Sequence, residues 1–191
     1  MNLSLKQYLD ADWERLSIVC GWPPGRPRNW VSYLHPRFAP VALVRCARSA
    51  YAHRLHRLAK LFSLANFLVF KLEVPAFLDI GPGLVIPHPQ GTVLGACKIG
   101  NNATIFHQVT LGASSADFGF NPSLRPVVGN DVTLSVGAKI LGAVHLGDGC
   151  VVGANAVVIT DVPAGAVAVG VPAKIKKEGE RMSADEYGSS Q

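Results

Sequence analysis

Aliphatic residues recur at every sixth position through the second half of the chain. Val128, Leu134, Ile140, Leu146, Val152 and Val158 keep this spacing without a slip, and Gly129, Gly147 and Gly153 follow three of them. Upstream the same register runs Val74, Ile80 and Ile86, slips by one residue, and resumes as Val93, Ile99, Ile105 and Leu111. A period of six suits neither an α-helix, which repeats about every 3.6 residues, nor a simple amphipathic strand, which alternates. It reads as a strand-plus-turn repeat in which three strands close one triangular coil of about 18 residues, aliphatic side chains stacked inside. The pattern predicts a mainly β protein, a parallel β-helix over residues 72–173.

Ahead of the coil the spacing turns helical. A short helix is expected from about Ser4 to Leu16, then an irregular connection through the Pro/Gly-rich stretch Gly21 to Pro27. His35-Pro36 opens a second helical segment running to about Phe70, with Leu43, Ala47, Ala50, Leu55, Leu58, Leu61 and Phe62 as its apolar positions. The chain thus divides into an N-terminal helical region, 1–71, the coil domain, 72–173, and a polar tail, 174–191. Residues 112–126 alone interrupt the hexads before regular coils resume. An excursion from the corner of a solenoid is where a binding loop is expected, although a neutral insertion leaves the same pattern.

At 191 residues, 49% hydrophobic and only 16% charged, the chain accommodates one repeat domain and a modest appendage. The net charge of +5 comes largely from Arg26, Arg28, Arg37, Arg45, Arg48, Arg54, Arg57 and Lys60, all before residue 72. Such a run suits nucleic acid, a membrane surface or an anionic substrate; the plainer reading, taken here, is the solvated side of a helix without a nucleic-acid partner. Cys20, Cys46, Cys97 and Cys150 form no CxxC pair and no signal peptide precedes them, which points to a reduced, cytoplasmic protein without disulfides. The apolar run Leu61 to Phe70 is too short to span a bilayer and is closed by Lys71 and Glu73, so membrane contact is at most peripheral.

Chemistry can be placed on this frame. His88 lies two residues after Ile86 and His107 two after Ile105. Those ladder positions are one coil apart, so the two imidazoles are expected to stack at one corner. Glu73, a little under one coil before His88, comes within reach of that corner. A carboxylate that orients an imidazole and stabilises its protonated form makes a general base near neutral pH. Spacing alone equally allows both histidines simply to cap strand ends.

The hexads, together with Ile86-Pro87-His88-Pro89-Gln90-Gly91, Val109-Thr110-Leu111-Gly112, Gly137-Ala138-Lys139-Ile140-Leu141-Gly142, Val152-Gly153-Ala154-Asn155-Ala156-Val157-Val158 and Gly170-Val171-Pro172-Ala173-Lys174, resemble the hexapeptide-repeat acetyltransferases. Within them the chain is most similar to the serine acetyltransferase branch and its relatives in polysaccharide gene clusters, over residues 36–177. The resemblance implies a left-handed coil, His88 as general base and Glu73 as its acidic partner, Glu replacing the usual Asp. It implies acetyl-CoA as acetyl donor, lying between two coil domains of a homotrimer. Gly112, the backbone near Gly137 and Ala138, and Ala154 would hold the pantetheine arm, with Lys174 available to a CoA phosphate. No metal is implied.

Departures from the serine pattern bear on the acceptor. The serine enzymes carry an Asp before the catalytic His and an Asp-Arg-His-Pro run in the loop, where this chain has Pro87 and Ser123-Leu124-Arg125-Pro126. A zwitterion in a buried pocket needs charged partners, and Arg125, with His107 at the same corner, is what remains to bind the acceptor. The expected acceptor is therefore a sugar hydroxyl of a surface polysaccharide or its precursor, with serine as the alternative. Serine acetyltransferases dock into cysteine synthase through a C-terminal Ile and build hexamers on a longer helical region. With Gln191 last, a lone trimer without cysteine synthase is expected. Similar coils in γ-type carbonic anhydrases bind a metal through three His; His88, His107 and His145 would be the candidates, but His145 occupies a different hexad position.

Overall fold

A computed structural model describes residues 3–23 and 25–176. Helix α1 (Leu5–Val19) begins at a capping box, the Ser4 hydroxyl accepting from Gln7 N–H while the Gln7 side chain accepts from Ser4 N–H. A 3-10 turn (Trp30–Leu34) leads into α2 (Ala39–Ala52), with Pro40 in its first turn, where no intrahelical N–H partner is lost. The expected second helical segment is in fact two helices. Arg54 adopts a left-handed φ of 62°, and α3 (His56–Phe70) folds back against α2.

From Leu72 the chain winds through three faces. The first coils contribute β1 (Leu72–Glu73), β2 (Asp79–Ile80), β3 (Thr92–Leu94), β4 (Lys98–Ile99), β5 (Thr104–Ile105) and β6 (Thr110–Gly112). After the loop come β7 (Val127–Val128), β8 (Thr133–Leu134), β9 (Lys139–Leu141), β10 (His145–Leu146), β11 (Val151–Val152), β12 (Val157–Val158), β13 (Val167–Val169) and β14 (Lys174–Lys176). In the middle of the coil strands three apart pair in parallel, and at its ends β1-β3, β2-β4 and β11-β13 pair in parallel two apart, giving the sheet orders β1-β3-β6-β9-β12, β10-β7-β4-β2 and β14-β13-β11-β8-β5. The axis is filled by ladders of aliphatic residues: Ile80, Ile99, Val128 and Leu146 on one face, Ile86, Ile105, Leu134 and Val152 on the second, all buried. The strand β14 is antiparallel to β13 and ends the coil, so Lys174 belongs to a strand rather than to the tail. The remainder of the expected tail lies outside the described residues.

On the third face the hexad register needs two corrections. Leu94, not Val93, points inward: Leu94 is fully buried and pairs with Leu111, while Val93 pairs with Thr110 and is half-buried. Val74 likewise only packs against the edge of the core, and Leu72 is the buried residue of β1. Corners are fixed by side chains as well as turns. Asn101 N–H donates to Asn130 Oδ1 29 residues on, and Asn130 N–H to Asp148 Oδ1 18 residues further, a polar column along one edge of the coil.

The helical region is bolted to the first coil. Asp12 and Arg45, both buried, form a two-pronged ion pair, and Arg45 also donates to Ile80 O and Gly81 O, both at 2.6 Å. Arg45 is thus not part of a solvated basic face. Around the pair, Leu9, Trp13, Leu16, Phe38, Ala42 and Val85 form a second apolar cluster.

Candidate active site

The corner between β5 and β6 gathers most of the residues singled out in the sequence. Gly91, Gln108, Gly137 and Asn155 occupy it on four successive coils, each with positive φ, 71°, 58°, 71° and 55°. The turns are tied coil to coil: Gln108 N–H to Gln90 O at 3.1 Å, Gly137 N–H to His107 O at 2.9 Å, Asn155 N–H to Val136 O at 2.8 Å. At Gly137 a Cβ would also meet Asn155 Oδ1 at 2.0 Å, so glycine is required by space as well as by φ. Lys139 Nζ reaches across the corner to Gln108 O.

His88 stands exposed at this corner between Pro87 and Pro89, two residues whose rings fix the backbone on either side. His107 lies on the next coil, ring centroids 5.8 Å apart and planes at 89°. The two imidazoles expected at one corner on adjacent coils do meet there, edge to face rather than stacked. His107 Nδ1 is buried without a protein hydrogen-bond partner, the kind of atom that a bound molecule satisfies.

Glu73 lies just past Lys71, whose carbonyl accepts from Gly91 N–H at this corner. It is exposed on β1, in register with Val93, and lines an open cavity of about 590 Å³ together with Tyr51, His56, Lys60, Ser63 and Phe77. Among the described hydrogen bonds none joins Glu73 to His88. Gly91 N–H donates to Lys71 O at 3.0 Å, so the backbone turns next to both residues are nonetheless tied together.

Of the backbone positions expected along the CoA arm, Gly112 has open space where a Cβ would stand, and its carbonyl accepts from Gly142. Ala154 is exposed at the His107 corner. Ala138 is buried with both backbone groups engaged, N–H to Ser135 O and C=O from Thr110 N–H. Lys174 is exposed on β14.

The loop is held by contacts that the sequence reading did not find. Arg125 donates through Nε and Nη2 to Asp117 Oδ2, through Nη2 to Asp117 O and through Nη1 to Gly95 O, and its guanidinium stacks 3.9 Å from the Phe120 ring centre. Phe120 in turn meets Phe77 edge-on. Burial acts to raise the Asp117 carboxyl, but the Arg125 hydrogen bond and the Asn121 N–H outweigh it and hold the pKa below the ordinary value. An acid eight residues before a loop arginine was the available signal.

Comparison with known proteins fits this frame. The family model for bacterial transferase hexapeptide (six repeats) matches residues 125–160. Serine acetyltransferase of Helicobacter pylori strain J99 is 37% identical over 167 residues, 87% of this chain and 96% of the relative. The chain belongs to the serine acetyltransferase branch of the hexapeptide-repeat family. The Bacillus subtilis serine acetyltransferase is 35% identical over 69% of this chain, which spans 59% of that longer protein. Among solved structures, a serine acetyltransferase in complex with CoA superposes with TM-score 0.77 at 27% identity, covering 91% of this chain and 70% of that one. The soybean serine acetyltransferase complexed with serine does so with TM-score 0.76 at 30% identity, again over 91% and 70%. Among the described residues no group of three His, Cys, Asp or Glu side chains is placed to hold a metal, and His145 lies on β10, away from the His88–His107 corner.

Proposed function

We propose that this acetyl-CoA-dependent O-acetyltransferase transfers its acetyl group to the hydroxyl of free serine. The observation that carries the acceptor is the alignment with the Helicobacter serine acetyltransferase, which runs over nearly the full length of both proteins. The expectation of a polysaccharide sugar as first choice gives way to it, since the relatives named above are serine enzymes.

His88 acts as the general base. It takes the proton of the acceptor hydroxyl as the oxygen attacks the thioester carbonyl carbon; the C–S bond then breaks, and the proton passes from the imidazolium to the departing CoA thiolate. Backbone N–H groups stabilise the tetrahedral oxyanion between the two steps. The two flanking prolines support this role, because a base must be held in place to be efficient. Glu73 orients His88 once the assembled site is occupied. The pantetheine arm runs past Gly112 and the Gly137–Ala154 corner of a left-handed coil, between subunits of a trimer, with Lys174 near a phosphate. Ala138 contributes shape rather than hydrogen bonds.

One observation favours a neutral sugar as the competing acceptor. Arg125, the cation expected to meet a serine carboxylate, already spends most of its donors within the loop. The deciding experiment is thiol release from acetyl-CoA with serine, nucleotide sugars and oligosaccharides compared on one preparation. Saturable turnover with serine near the enzyme median of about 10 per second establishes the proposal; turnover with a sugar and none with serine overturns it.

A further inference from the structure

Helix α3 packs through an unusually narrow stripe. Its buried residues are Ala59 and Asn66, the latter donating to Pro40 O at 3.0 Å. Most of its larger side chains face outward: Leu61 is 59% exposed, Leu64 51%, Leu68 56% and Val69 68%, with Leu58 and Phe67 also exposed. Spacings of three and four residues stack Leu61, Leu64 and Leu68 on one face. A contiguous exposed apolar patch flanked by polar residues marks a surface that another body covers. Yet no helix among the described residues is long and apolar enough to cross a membrane.

Charge indicates what lies against it. From Arg15 to Leu72 the sequence contains ten Arg and Lys and no Asp or Glu. Arg57 and Lys60 lie on α3 itself, Arg54 and Lys71 at its two ends, and all four are exposed. A second copy laid face to face on α3 would oppose cation to cation, with no carboxylate on α2 or α3 for compensation. A bilayer surface with anionic headgroups supplies the missing negative charge, and its acyl boundary receives the leucines. We propose that α3 lies in the plane of an anionic membrane surface and docks the enzyme there reversibly, Leu61, Leu64 and Leu68 inserted and Arg54, Arg57, Lys60 and Lys71 at the headgroups.

The test is flotation of the full-length protein with vesicles of phosphatidylcholine alone or with about a third phosphatidylglycerol, at low and high salt. Binding is expected only to the anionic vesicles and is expected to fall steeply with salt. The variant Leu61→Gln/Leu64→Gln/Leu68→Gln changes only exposed positions, so it should fold, and its bound fraction should drop at least tenfold. Replacing Arg57 and Lys60 with Gln should weaken binding without changing solution mass. Failure of the wild-type protein to float, or equal flotation of the triple variant, overturns the proposal. So does a triple variant whose assembly falls apart in sedimentation while flotation is unchanged, since α3 would then be an interface between copies.

Discussion

Asp12 and Arg45, 33 residues apart, meet at 2.7 and 2.9 Å in a pair that excludes water, and through it two helices are joined to the coil. Asp12 Oδ1 also accepts from Gly83 N–H and Leu84 N–H at 2.9 and 2.8 Å. Asp12→Ala strands a buried guanidinium and two backbone donors together. The expected loss is about 3–5 kcal/mol of stability, the usual cost of breaking one partner of a buried pair. Denaturant midpoints of the two proteins check it; a loss below about 1 kcal/mol, the range of a surface pair, would show that water reaches the site.

His88→Ala is expected to lower turnover by about 10²–10⁴-fold, the usual contribution of a positioned general base, with CoA affinity and assembly unchanged. Steady-state kinetics and a CoA titration measure both. Retention of more than about a tenth of the rate would assign the proton transfer to another group.

Glu73→Gln tests orientation. Because Glu73 forms no hydrogen bond to His88 in the free chain, the substitution should reduce turnover less than His88→Ala, and the double variant should be no worse than His88→Ala alone. Additive losses would separate the two residues and leave Glu73 to the cavity that it lines with Tyr51 and Lys60.

Loop order should depend on acid. The Asp117 pKa is held below its ordinary 3.8, so its pairing with Arg125 stabilises the loop fully above that pH and is lost as pH falls below it toward the folded-state value. Hydrogen exchange of residues 117–125 should therefore accelerate on acidification, while the buried ladders stay protected. Asp117→Asn should show fast loop exchange already at neutral pH. Indifference of the loop to both changes would mean that Phe120 and Phe77 hold it without the charge pair.

The coil was legible because stacking forces one aliphatic residue into the axis every sixth position, and from Val128 to Val158 that spacing never slips. It failed at Val93 because the run from Ile86 to the next inward residue exceeds the six-residue period and two adjacent aliphatics, Val93 and Leu94, both fit; pairing of Leu94 with Leu111 decides between them. The meeting of His88 with His107 at one corner followed from the same period. Arg45 was misplaced because a buried ion pair and a solvated arginine look alike in sequence, and its partner lies 33 residues away on another helix. Arg125 read as a free cation for a related reason. Its claim on Asp117 depends on how an irregular loop closes, which no periodicity describes.

The coils on either side of that loop stay in register. Gly112 pairs with Leu141 on one face, Ile99 with Val128 on another and Ile105 with Leu134 on the third, so the structure is continuous where the chain detours. The covalent path through the fully exposed Phe118 is therefore redundant for cohesion. A protein clipped there by a protease should migrate as two fragments in denaturant yet remain one particle in solution, which makes the detour a segment that can be exchanged whole without rebuilding the scaffold that carries it.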